Sequence, residues 1–60
     1  MIEVGTRVEI VGGEYWPRTG VVAGHKTVQG MPCVSVSLDR PLANRERVIV
    51  VLEEHVLEAE

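Results

Sequence analysis

Apolar and polar residues alternate in this chain over short runs that glycine and proline keep interrupting, a pattern that strands satisfy and long helices do not. The cleanest run is Cys33–Leu38, where Val34, Val36 and Leu38 face one side and Cys33, Ser35 and Ser37 the other. A first strand is expected at about Thr6–Val11, with Val8 and Ile10 inward and Arg7 and Glu9 outward. Gly12-Gly13 breaks it. Glu14–Thr19 reads as a loop, because Pro17 has no backbone N–H and disfavours helix at Trp16. Gly20–Gly24 is β-branched and bounded by glycine, which suits a second strand ending in a bend or bulge, with the turn beyond it at His25–Pro32. Asp39–Glu46, with Pro41 and Asn44, reads as another loop. Arg47–Leu52 follows as a strand, Glu53-Glu54-His55 as a single helical turn, and Val56–Glu58 as a last short strand.

No segment is periodic over the roughly 12 residues that a stable helix needs. Five short strands in 60 residues therefore predict an all-β fold, a small and partly open barrel in one domain, with residues 59–60 as a frayed tail. A chain of this size hides only about 60% of its unfolded surface. Cys33 is the single cysteine, so no internal disulfide supplements the core and no four-cysteine zinc site exists. Hydrophobic residues make up 45% of the chain, too many for a disordered tail. The longest apolar run, Val48–Leu52, falls far short of the roughly 20 residues of a membrane span, and no charged-then-apolar leader opens the sequence. The expected setting is cytoplasmic, away from membranes.

The formal charge of −3 is unevenly placed. Residues 53–60 hold Glu53, Glu54, Glu58 and Glu60 without a lysine or arginine, so the rest of the chain is nearly neutral. That is not the broad basic footprint of a nucleic-acid-binding domain, although it leaves room for a local arginine cluster.

The stretch Gly5–Val22, and within it Gly13, Tyr15 and Gly20 at their mutual spacing, resembles a KOW motif in an SH3-like barrel, and the later strands fit the same barrel. The resemblance implies a five-stranded SH3-like barrel whose partner is RNA or a protein of transcription or translation. Pro17 stands where many members carry glycine, and the acidic balance departs from the ribosomal and elongation members. Two further families are similar. Glu14-Tyr15-Trp16, Gly20–Ala23 and Glu54–Glu58 resemble the small stromal-side subunit of photosystem I, which implies a non-catalytic docking role. Trp16, the Gly20/Gly24 pair and Leu57-Glu58 resemble type II dihydrofolate reductases, which implies an oligomer binding a dinucleotide or pterin in a symmetric pore. In that alignment Ile49–Leu52 replaces a Val-Gln-Ile-Tyr strand, and the polar side chains that would hydrogen-bond a nicotinamide or pterin are missing.

Few residues carry the signature of a catalytic or metal site. Gly24 with Lys26-Thr27 has the wrong spacing for a phosphate-binding loop and no helix after it. Cys33 with His25 or His55 would make a thiolate pair only if folding brought them together, and the simpler reading is a small side chain on a strand's polar face. His25, Glu54 and His55 lack zinc-ligand spacing, and Glu53-Glu54 reads as a solvated pair. No catalytic residue, metal or cofactor is expected.

Two constellations remain. Tyr15 and Trp16, the only aromatic residues, share a loop with Arg18, whose guanidinium stacks on rings and pairs with phosphate or carboxylate. Arg40, Arg45 and Arg47 surround the Pro41–Glu46 loop, interleaved with Asp39 and Glu46. These six residues are the expected binding surface of a non-enzymatic module for a protein or RNA partner. Arg47–Leu52 is apolar on both faces. If Val48, Val50 and Leu52 line the barrel wall, Ile49 and Val51 are left to a homo-oligomer interface.

Overall fold

A computed structural model describes residues 2–59. It contains β1 (Arg7–Ile10), β2 (Thr19–Val28), β3 (Met31–Leu38), β4 (Val48–Leu52), a 3-10 turn at Glu53–His55, and β5 (Val56–Glu58). All strands pair antiparallel in one sheet of order β4-β3-β2-β1-β5, and the sheet is not closed. The expected all-β fold, five strands and the helical turn before the last of them are thus present. Among the described residues no helix is long and apolar enough to cross a membrane.

The core is built by alternation. Val8 and Ile10 of β1, Val22 of β2, Val34, Val36 and Leu38 of β3, Ile49 and Val51 of β4, and Val56 of β5 form one buried cluster. Ile2, Tyr15 and Leu42 pack against it from outside the sheet. Burying each aliphatic side chain is worth about 1.5–3 kcal/mol, and this cluster is the main source of stability.

Gly20 sits where the sheet is tightest. It pairs with Val8 on one side and Leu38 on the other. A Cβ there would lie 2.4 Å from the Ser37 carbonyl oxygen and 2.8 Å from Val36 Cγ1. Only glycine lets the backbones approach so closely.

Three expectations are corrected by the strands. First, β2 does not end at Gly24. Its register against β3 shifts between Val22 and Gly24, leaving Ala23 as a bulge, and the strand runs on to Val28. The turn is only Gln29-Gly30, both at positive φ, as a type I′ two-residue hairpin requires. Pro32 is tolerated because β4 does not extend beside it, so a missing N–H on that side breaks no ladder bond. Second, Cys33 is buried rather than outward. It lies on the same face of β3 as Ser35, but it pairs with Leu52, the residue just before the 3-10 turn. Third, Ala59 is not frayed: its N–H donates to the Arg7 carbonyl oxygen at 2.8 Å. Glu60 lies outside the described residues.

The largest correction concerns β4. Ile49 and Val51, expected at an oligomer interface, are 4% and 8% exposed and belong to the core, whereas Val48 and Val50 are 55% and 40% exposed. The register decides this. Directly paired residues of neighbouring strands point to the same face, and Ile49 pairs with Val36 and Val51 with Val34, both core residues. Val48 and Val50 pair instead with Ser37 and Ser35.

Candidate functional site

The loop between β1 and β2 is folded by its own backbone. Ile10 N–H donates to the Arg18 carbonyl at 2.8 Å, and Arg18 N–H donates to the Tyr15 carbonyl at 3.1 Å. Val11 N–H donates to the His55 carbonyl at 2.8 Å, and the His55 ring lies close to Gly12 and Gly13. A Cβ on Gly13, which has φ +80°, would come within 3.0 Å of His55 Nδ1. The Trp16–Pro17 peptide is cis. Within this frame the two aromatic residues take different roles. Tyr15 is half-buried and packs on the core, while Trp16 is 62% exposed.

The loop between β3 and β4 is anchored the same way. Leu42 packs on the core and donates to the Glu46 carbonyl, Arg45 donates back to Leu42, and Asn44 Oδ1 accepts from Glu46 N–H. Its first residue, Asp39, is tied to β2 by a bond from its N–H to the Thr19 carbonyl at 3.0 Å. The two loops are therefore docked at one end of the sheet.

Asp39 is the hub where they meet. Its Oδ2 accepts from Arg7 Nη1 and from Thr19 Oγ1, each at 2.7 Å. The Arg7 hydrogen bond, then that from Thr19, hold the Asp39 carboxyl below its ordinary pKa; partial desolvation opposes them, and the charges of Arg7 and Arg47 add to the lowering. The Arg7 guanidinium is raised, chiefly by the same hydrogen bond. Beside this pair lies an open groove of about 540 Å³ lined by Pro17, Arg18, Thr19, Asp39 and Arg40. Arg7 and Arg47 thus act on Asp39 by charge, and Arg18 and Arg40 line the same groove as its carboxylate. The groove therefore carries two guanidinium groups and one carboxylate.

The structure places both Arg18 and Arg40 in the lining of this groove and leaves Trp16 one residue along the chain from Pro17, which also lines it. Arg47 lies close enough for its charge to act on Asp39. Arg45 is set apart at the tip of its turn, with φ +71°. Tyr15 faces a different groove, formed with Gly12–Glu14, Val50–Leu52 and His55. Sequence reading missed Arg7, Thr19 and the organising role of Asp39. Period-two alternation placed Arg7 outward, but its partner is 32 residues away and only the sheet order joins them.

The remaining chemistry is quiet. Cys33 Sγ contacts the Met31 carbonyl oxygen at 3.6 Å, and His25 Nε2 hydrogen-bonds the Ile2 carbonyl oxygen. Cys33 and His25 line one shallow groove with Lys26, Thr27, Pro32 and Glu53, with no bond between them. Among the described residues no group of three or more His, Cys, Asp or Glu side chains is placed to hold a metal ion. Comparisons with protein-family models, with curated proteins and with solved structures find no match to this chain.

Proposed function

We propose that this protein is a non-enzymatic docking module that holds an anionic segment of a partner in the Arg18–Arg40 groove, with Trp16 stacking beside it. The observation that carries this reading is the convergence of Arg18 and Arg40, 22 positions apart in the chain, on the walls of one open groove next to an exposed tryptophan. An exposed indole buries large area on contact and accepts a base, a ring or a guanidinium on its face. Guanidinium groups on rigid loops recognise phosphate or carboxylate in a fixed geometry. The arginines are prepared for this. Arg7 and Thr19 hold Asp39 in place, and Asp39 in turn fixes the start of the loop that carries Arg40.

The resemblance of Gly5–Val22 to a KOW motif makes single-stranded RNA the first partner to test, with acidic protein segments second. Trp16 is the only tryptophan, so its fluorescence reports on the groove without labelling. Titration with a mixed-sequence single-stranded RNA at low salt should quench it. Affinity should fall log-linearly with added salt, and Arg18→Ala or Arg40→Ala should weaken binding about tenfold and reduce the salt slope by about 1 each. Saturation by an acidic peptide but not RNA would assign the groove to a protein partner. No response to either would sink the proposal.

A further inference from the structure

The sheet has two free edges, and they are built differently. β5 is short, its three residues ending in Glu58, and acidic residues flank it on both sides in the sequence. β4 is the opposite terminal strand, Val48-Ile49-Val50-Val51-Leu52, and carries no charge, no proline and no bulge. Natural edge strands are usually guarded by one of those devices or by a loop that covers them, and here the Gly12–Tyr15 loop faces only the Val50–Leu52 end of the strand.

The direction of the unpaired groups follows from one bond. Leu38 N–H donates to the Arg47 carbonyl, so Arg47, Ile49 and Val51 direct their backbone toward β3. Val48 and Val50 then present N–H and C=O outward, and Leu52 presents its N–H. No backbone hydrogen bond among the described residues crosses from these groups to the Gly12–Tyr15 segment, which faces Val50–Leu52 over an open groove. The outward side chains Val48 and Val50 are also the exposed apolar ones.

We infer that β4 pairs antiparallel with β4 of a second copy, about a twofold axis at Val50, joining the two sheets edge to edge. The register is self-complementary. Val50 meets Val50 of the second copy and exchanges both backbone bonds with it, and each Leu52 N–H donates to the Val48 carbonyl across the axis. On the outer face Val48 stands beside Leu52 of the second copy, closing an apolar strip over residues that are exposed or half-buried in the single chain. Just beyond the paired strands, Arg47 before β4 is brought beside Glu53 of the second copy, the residue that opens the 3-10 turn after β4. Both are exposed or partly so and make no side-chain hydrogen bond among the described residues. A shift of register by two in either direction loses this charge pairing and the Val50 contact together. Charge and apolar complementarity therefore select a copy of the same strand over an unrelated one. The interaction is closed by its own symmetry, because each chain offers a single such edge.

Sedimentation equilibrium on the whole chain, from micromolar to millimolar, tests this. The expected result is a reversible monomer–dimer equilibrium rising to twice the 6.6 kDa chain mass. Val50→Lys should raise the dissociation constant at least about a hundredfold, with a circular dichroism spectrum and thermal midpoint at low concentration like those of the parent, since Val50 lies outside the core. Arg47→Glu should weaken the dimer about threefold to tenfold, and Arg47→Glu with Glu53→Arg should restore it, a rescue that only the Val50-centred register explains. A parent chain that stays monomeric to millimolar concentration overturns the inference. A dimer indifferent to Val50→Lys, or an Arg47→Glu loss that the paired exchange fails to restore, overturns it as well.

Discussion

The sheet interior and the rim where its two loops meet are made from different chemistry and answer to different demands. The interior is valine, isoleucine and leucine with Cys33 beside them and no buried polar or charged side chain among the described residues, and every position is fixed by a strand pairing. The rim is arginine, aspartate, threonine and tryptophan, nearly all exposed, and its order comes from hydrogen bonds between loops. Apolar burial dominates stability, whereas exposed ion pairs contribute little to it. The rim's ordered charges therefore add little to folding stability, and their order is set by hydrogen bonds between loops. This separation lets a 60-residue chain change its rim without endangering its core.

Breaking the interior should have the largest effects. Gly20→Val places branched carbon against the Ser37 carbonyl and Val36, and is expected to abolish the cooperative thermal transition. Ile49→Ala should lower unfolding stability by about 2–4 kcal/mol in a denaturant titration, through lost burial and the cavity left behind. Its neighbour supplies the contrast. Val48→Ala, on the outer face of the same strand, should change the stability of the monomer by no more than about 0.5 kcal/mol. Equal losses at Ile49 and Val48 would mean that β4 is not oriented as described.

The rim should respond to acid, and by a smaller amount. Because the Asp39 carboxyl is held below its ordinary value near 4, the stability it contributes is fully present above that value and is lost as pH falls through the lower folded one. Thermal midpoints measured from pH 6 to pH 2 should show the parent's advantage over Asp39→Asn shrinking across that window and constant above it. At neutral pH the same substitution should leave the core intact while loosening the Arg40 loop, visible as faster amide exchange at Asp39 and Arg40 and unchanged exchange at Val34 and Val36.

The strands were legible because their signal is local. Val34, Val36 and Leu38 alternate with smaller, more polar residues, and the first and last strands and the Glu53–His55 turn fall where that alternation and the loop residues put them. β4 was legible as a strand but not as an orientation. Both its faces are apolar, so only pairing with β3 chooses which one is buried, and that information lies ten or more residues away. Gly24 marked the bulge, but the strand continues past it because Gln29-Gly30 supplies a tighter turn. For the site, Trp16, Arg18 and Arg40 were recognisable as exposed loop residues, whereas the Arg7–Thr19–Asp39 cluster depends on β1, β2 and the end of β3 lying side by side. No local pattern encodes that neighbourhood.

The most direct test of the account is the Trp16 fluorescence titration, run in parallel on the parent chain and on the Arg18→Ala, Arg40→Ala double variant at equal folded fraction. The account predicts saturable quenching of the parent by single-stranded RNA or an acidic peptide at low salt, with affinity falling as salt is added, and a loss of about a hundredfold in the variant. A parent that responds to neither ligand, or a variant that binds as tightly as the parent, would contradict it.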